Sequence, residues 1–363
     1  MVKINGGKKR VGYIDIAKGI GIILVVLGHT NSPLRNYIYQ FHMPLFFFLS
    51  GTVYKDKEEK GFINLAMGKI RSLYIPYLAY GLSFLALHNV FYKLNIYSKA
   101  SNFMGKVQEQ YKIKDFMRQF FNTLTCSCRE QVGGAMWFLS SLLIVSMLFI
   151  IIRRLLKKVE KRELYVMASV VVLFIVGYYT NLPRYFSISL VALFFYYLGY
   201  LYKVFKEKIK LNFYVFIISV LSIIALAPVN KVDMVINKYT NPLLLILSSL
   251  LGIYMILYLS KLIEDTSLNK KISYIGRNTM VIMTLHFLAF KTVNLIEVVV
   301  YGEEYELIGS FPVLNSTGVW WIVYGVVGVF LPLIGKWFLL KLRKDVIKNK
   351  EKSLTSNFGE GRY

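Results

Sequence analysis

Asp15-Ile16-Ala17-Lys18-Gly19-Ile20-Gly21-Ile22-Ile23-Leu24-Val25-Val26-Leu27-Gly28-His29 is the stretch whose reading decides the fold. Ten residues without a single polar side chain separate Lys18 from His29, and the basic run Lys8-Lys9-Arg10 precedes the segment. It is too long for a signal-peptide core, and no small-residue cleavage site follows it, so it reads as an uncleaved first membrane span over residues 12–30. Eleven residues amount to three helical turns plus roughly 20°, which puts Lys18 and His29 on one helix face, about 16 Å apart along the axis. Asp15, three residues before Lys18, is placed to pair with it. Gly19, Gly21 and Gly28 favour close approach by neighbouring helices.

Outward from this segment the chain stays apolar. Of its 363 residues 56% are hydrophobic and only 18% charged, which excludes both an ordinary soluble domain and a disordered chain. Nine more apolar segments follow, at 38–54, 73–96, 134–152, 164–180, 185–202, 211–228, 242–260, 279–300 and 318–340. The expected fold is therefore an all-α integral membrane protein, a bundle of about ten transmembrane helices. No internal repeat and no Pro- or Ser-rich linker divides it. Residues 1–344 read as one transmembrane domain, and 345–363 as a polar tail that frays.

Forty-four basic against 20 acidic residues give a net charge of +24. In a soluble protein this would suggest nucleic acid, but no soluble basic module exists here to carry such binding. With the N-terminus inside, the inner segments hold 30 Lys and Arg and the outer segments 10, the other four being Lys18, Lys93, Lys291 and Lys336 within spans. That bias predicts a multi-pass protein of the cell membrane with both termini cytoplasmic, its inner basic residues against anionic lipid headgroups.

Ionisable groups inside a membrane are functional candidates because they are costly unless paired or facing a cavity. For Lys18 and His29 two readings compete. Either Lys18 snorkels to the inner headgroups while His29 sits at the outer interface, or the two line a polar path through the bundle. The second span carries Phe41-His42-Met43-Pro44, where Pro44 cannot donate to the Gln40 carbonyl and frees the backbone beside His42. In the ninth span Arg277 and Asn278 stand at the inner start. His286 and Glu297, again eleven apart, share a face, and Lys291 points about 140° away from His286. Glu297 is a candidate to pair with or orient His29. His88 reads as an interface histidine. Trp137 fits an outer aromatic belt or the site itself. Lys69 and Arg71, at the inner mouth of the third span, are either orientation signals or phosphate ligands. Cys126 and Cys128 are too close for a zinc site, no metal is expected, and two cysteines supply no disulfide framework.

These motifs together resemble the membrane acyltransferase-3 family. Asp15-x-x-Lys18-Gly19-Ile20-Gly21-Ile22 running to Gly28-His29 is similar to that family's first helix, with its Arg/Lys–ten residues–His pattern. Phe41-His42-Met43-Pro44-Leu45-Phe46-Phe47-Phe48-Leu49-Ser50-Gly51 resembles the second helix of the fucose 4-O-acetylase-like branch. Trp137-Phe138-Leu139 matches a further signature, and Ile275-Gly276-Arg277-Asn278 with Leu285-His286 resembles a late helix. The family's Arg-x-x-Arg signature reads Lys69-x-Arg71 here. The resemblance, over residues 11 to about 340, implies transfer of an acyl group, usually acetyl from cytoplasmic acetyl-CoA, to a hydroxyl of a surface glycan or lipid-linked sugar. No cofactor would be bound permanently. His29 would be the catalytic histidine and Lys18 its basic partner, with His42 and Glu297 as further catalytic candidates. Asp15, Lys69, Arg71, Trp137, Arg277 and His286 would serve substrate binding. On physics alone, a secondary transporter exporting a glycan precursor fits the buried His, Lys and Glu equally well, although no inverted repeat is visible. A non-catalytic scaffold for polysaccharide assembly is a third reading.

Overall fold

The structure is a computed structural model that describes residues 12–55, 61–99, 109–314 and 318–359; the basic stretch Lys8-Lys9-Arg10 lies outside them. In chain order the elements are α1 (Gly12–Gly28), α2 (Arg35–Tyr39), α3 (His42–Thr52), α4 (Phe62–Lys69), a π-helical turn (Ile70–Tyr74), α5 (Ile75–Ala86), α6 (His88–Lys93) and α7 (Ile113–Leu124). A 3₁₀ segment (Gln131–Met136) leads into α8 (Trp137–Leu155), followed by α9 (Arg162–Tyr179), α10 (Phe186–Phe205) and α11 (Phe213–Leu226). A hairpin of two short strands, β1 (Val232–Asp233) and β2 (Lys238–Tyr239), precedes α12 (Pro242–Glu264), α13 (Asn269–Arg277) and α14 (Thr279–Tyr301). A second 3₁₀ segment (Tyr305–Gly309) and α15 (Trp320–Gly359) complete the chain.

Among the described residues, six helices are long and apolar enough to cross a membrane: Gln131–Leu155, Arg162–Tyr179, Phe186–Phe205, Pro242–Glu264, Thr279–Tyr301 and Trp320–Asp345. The other four expected spans are occupied by shorter helices. α1 has 17 residues and α11 has 14. The segment 73–96 divides at Leu87 into α5 and α6. The polar stretch expected to fray from residue 345 instead continues α15 as far as Gly359.

The segment 38–54 is also two pieces. Pro44 sits in the first turn of α3, where its missing N–H removes no helical bond. The Gln40 carbonyl freed by the break accepts from the hydroxyls of Ser248 (3.4 Å) and Ser249 (3.3 Å) on α12. Phe41, at the break, packs on Gly252 of the same helix.

Two backbone-to-backbone crossings position the centre of the bundle. A Cβ at Gly276 of α13 would fall 1.8 Å from the Asp15 carbonyl oxygen of α1, and one at Gly19 would fall 2.3 Å from that of Ile272. Likewise a Cβ at Gly51 of α3 would fall 1.9 Å from the Tyr196 carbonyl oxygen of α10, and one at Gly199 would fall 1.9 Å from that of Phe48. Small residues allow helices to meet at this distance.

Between the third and fourth expected spans, the described residues pack inward in part. Tyr97, Glu130 and Gln131 are buried. His88, expected at an interface, is also fully buried, with Nδ1 2.8 Å from Glu130 Oε2 and Nε2 2.8 Å from the Glu109 carbonyl oxygen. Tyr97 donates to the same carboxylate at 2.7 Å. These partners satisfy both His88 nitrogens and Glu130 Oε2, which offsets the cost of burying them.

Candidate active site

Lys18, Ile22, Val25 and His29 form one stripe of α1 and the turn that follows it, and all four line a cavity of about 530 Å³. The 4-3-4 spacing is that of a single helix face, so the stripe inferred from sequence faces a hollow rather than the periphery. α3 supplies the facing wall with His42, Met43, Phe46, Leu49 and Ser50. The start of α8 contributes Trp137, Phe138, Leu139 and Leu142, and α14 contributes Thr279, Met280, Met283 and Phe287. The cavity therefore extends along α1 over roughly three turns, about 16 Å, from Lys18 to His29.

At the Lys18 end, Nζ lies 3.7 Å from Asp15 Oδ1, the pairing expected at i, i+3. Two imidazoles, His29 and His42, line the other end. The His29 ring stacks on His286 with centroids 5.4 Å apart and meets Phe287 at 4.8 Å. His286 is completely buried behind it, with Nδ1 bonded to the carbonyl oxygens of Ile282 (3.1 Å) and Met283 (2.8 Å). His42 Nδ1 is 2.9 Å from the Ile38 carbonyl oxygen, across the break before α3. A carbonyl only accepts, so a neutral imidazole bonded in this way carries its hydrogen on Nδ1 and leaves Nε2 with a lone pair. Tyr39 packs on His42 with ring centroids 4.9 Å apart.

The remaining expected residues are spread more widely. Trp137 lines the cavity, near Tyr185. Lys69, Arg71 and Arg277 do not line it, and Arg71 and Arg277 are exposed. Burial holds the Lys69 amine below its ordinary pKa. Glu297 is fully buried but lies outside the cavity wall. Eleven residues beyond His286 on α14, it stands about 16 Å along the axis from the ring that stacks on His29, too far to orient that imidazole. Lys291 does point away, as its angle predicts. Its Nζ donates to the carbonyl oxygens of Gly309 (3.0 Å) and Ser310 (2.6 Å), and Asn294 donates to those of Ile308 (2.7 Å) and Ser310 (3.0 Å). Together they hold the segment that brings Phe311 to the cavity wall, 4.8 Å from Phe287.

Sequence reasoning missed the hairpin. Asp233, Met234, Val235 and Ile236 cover the His29 end of the cavity. Alternating Val232, Met234 and Ile236 between Asn230 and Asn237 is a strand-and-turn signal, overlooked because the surrounding chain is helical. Burial raises the Asp233 carboxyl above its ordinary pKa. Among the described residues no cluster of His, Cys, Asp or Glu has the arrangement of a metal site, and both cysteines are free.

No curated protein and no solved structure matches the chain. The acyltransferase-domain family profile matches residues 11–338. That match takes in both ends of the α1 stripe, both imidazoles opposite Lys18 and every helix that walls the cavity, so the chain is a multi-pass membrane protein that belongs to the acyltransferase-3 family.

Proposed function

We propose that the protein is an O-acetyltransferase of the cell membrane, moving acetyl from cytoplasmic acetyl-CoA to a hydroxyl of a cell-envelope carbohydrate. One observation carries this reading: Lys18 and His29 line the same cavity from opposite ends, with His42 beside His29. The bundle has about ten spans with both termini cytoplasmic, so the Lys18 end faces the donor's compartment. The cavity wall is mostly apolar, which suits the long uncharged arm that carries the thioester, while Lys18 sits where a basic side chain attracts the donor's phosphates.

The acceptor oxygen attacks the thioester carbonyl as His29 takes the hydroxyl proton. The carbon–sulfur bond then breaks, and the thiolate leaves and is reprotonated by the imidazolium. A positioned imidazole base contributes about 10²–10⁴-fold. His286, stacked behind His29, limits the ring's orientation. His42 offers a second bare nitrogen at the same end. Trp137 forms part of the acceptor wall, and Asp15 holds Lys18. Lys69, Arg71 and Arg277 contact the donor only if its nucleotide end extends beyond the cavity.

The test is the acetate content of surface glycans from cells carrying wild type or His29→Ala, together with heat protection of purified protein by acetyl-CoA. Loss of acetate in the variant with retained protection is the expected result. Unchanged acetylation removes His29 from the chemistry. Absence of protection in wild type favours an exporter, because a carrier has no reason to bind the thioester.

A further inference from the structure

A second cavity, of about 690 Å³, shares Tyr39, Asp233 and Ile236 with the first as common walls. We propose that this second cavity is the docking site of the acceptor and that it selects an acidic carbohydrate chain, an inference that rests on the transfer reaction above.

Unmet hydrogen-bonding capacity points to a ligand rich in hydroxyls. Asn230 is 1% exposed, and its Nδ2 is committed to Gln40 Oε1 at 2.8 Å. Asn237 Nδ2 donates to the Gly177 carbonyl oxygen at 2.9 Å. With both amino groups engaged, the two carboxamide oxygens are left as acceptors. Neither has a hydrogen-bond partner among the described residues, and the buried Tyr239 hydroxyl also lacks one. Three such atoms on residues that line one cavity are unusual, because buried polar groups are almost always paired. The two oxygens are closed off from solvent, so a sugar's hydroxyl donors would pair with them as the carboxamides turn toward the bound chain. Tyr239 also stacks on Tyr178 at 5.8 Å, giving the cleft an aromatic wall against which a sugar ring can lie.

Charge points to the acid. The four short segments on the His29 side, 31–37, 181–184, 229–241 and 301–317, hold four basic residues in all: Arg35, Arg184, Lys231 and Lys238. Three of the four line this cleft, opposed by Asp233 alone. Three cations against one carboxylate in a single cleft attract an anion and repel none of its hydroxyls. The shared wall then delivers the bound chain to His29 and His42.

The test titrates purified full-length protein with three fluorescent probes: hexagalacturonate, an oligo(glycerol phosphate) and maltohexaose. At least one anionic probe is expected to bind about tenfold tighter than neutral maltohexaose, and which one wins separates carboxylate from phosphodiester recognition. The double variant Lys231→Gln/Lys238→Gln, at two exposed positions, is expected to abolish that preference. Tyr239→Phe keeps the ring and should weaken the favoured probe by roughly three- to tenfold. Equal binding of maltohexaose, unchanged affinity in the double variant, or no binding of any probe overturns the proposal. His29→Ala keeps the two readings apart, because it is expected to bind the probe like wild type. Lost transfer without any probe binding sinks the docking site alone, whereas probe binding without transfer in wild type sinks the reaction alone.

Discussion

Replacing Gly276 by Ala tests how α1 is held. The added Cβ would lie 1.8 Å from the Asp15 carbonyl oxygen, and real contacts of this kind do not fall under 3.0 Å. The obstacle is backbone, so no rotamer change relieves it, and α1 and α13 must separate by about 1.2 Å at the level of Asp15. His29 remains stacked on His286 at the other end, so α1 pivots and Lys18 moves relative to Ser50 and Thr279 across the cavity. Overpacking of this kind costs about 1–3 kcal/mol of stability. A misplacement near 1 Å costs about 10²-fold in rate. The expected outcome is a folded protein with a lowered melting temperature and, for the reaction proposed above, transfer reduced roughly a hundredfold, read as acetyl-CoA consumption by the purified protein. Gly68→Ala is the control, since a Cβ there meets nothing within 4 Å. If Gly276→Ala matched wild type in both measurements, the two backbones would not be in contact, and the placement of Lys18 would need another cause.

Lys291→Met removes the donor to the Gly309 and Ser310 carbonyl oxygens. A loss of about 1–3 kcal/mol is expected, with faster hydrogen exchange over residues 308–314; unchanged exchange there would show that Asn294 alone holds the segment. Burial pushes the Cys128 thiol up to about 12 and raises the half-buried Cys126 less. A raised pKa keeps the thiol protonated and unreactive, so at pH 7.5 maleimide should label Cys126 first, with Cys128 labelling rising as pH increases. Peptide mass spectrometry showing equal rates would refute that burial. The pair Ser248→Ala and Ser249→Ala strips the Gln40 carbonyl of both hydroxyl donors and should cost about 1–3 kcal/mol in thermal unfolding, whereas an unchanged midpoint would mean that water replaces them.

The α1 stripe was legible in the sequence because helical periodicity fixes a face without any knowledge of partners. Lys18 and His29 could only share a side, and the costliness of polar groups in lipid made a polar path beside them one of the two readings held open. His42 was legible through Pro44, which announced a break, though not that the break would divide the helix and leave the imidazole to take up the Ile38 carbonyl. Glu297 shows the limit of the same method. Sharing a face with His286 says nothing of depth, and eleven residues of rise carry it away from His29. His88 escaped because its partners, Glu130 and the Glu109 carbonyl, come from a distant loop. Span lengths were the least legible. Apolar content extends through Leu87 and across residues 38–54, while helical hydrogen bonding stops at Leu87 and at Phe41.

A mostly apolar hollow inside a helical bundle calls for explanation, because interiors ordinarily close up by packing. The glycine crossings supply one. α1 is drawn against α13 through Gly19 and Gly276, and α3 is drawn against α10 through Gly51 and Gly199. Each crossing brings two backbones as near as they can come. The residues that line the cavity on these two helices lie on other faces, and they meet large rings, Phe46, Trp137 and Phe138, that prevent collapse. The side chains at the two ends are tied down separately: Lys18 to Asp15, His42 to the Ile38 carbonyl, and the Phe311 segment to Lys291 and Asn294. A reaction chamber needs volume for substrates and little freedom in the groups that act on them. Here glycine contacts outside the cavity provide the first, and hydrogen bonds made by and beside its lining residues provide the second, so the residues that keep the chamber open need not be those that perform its chemistry.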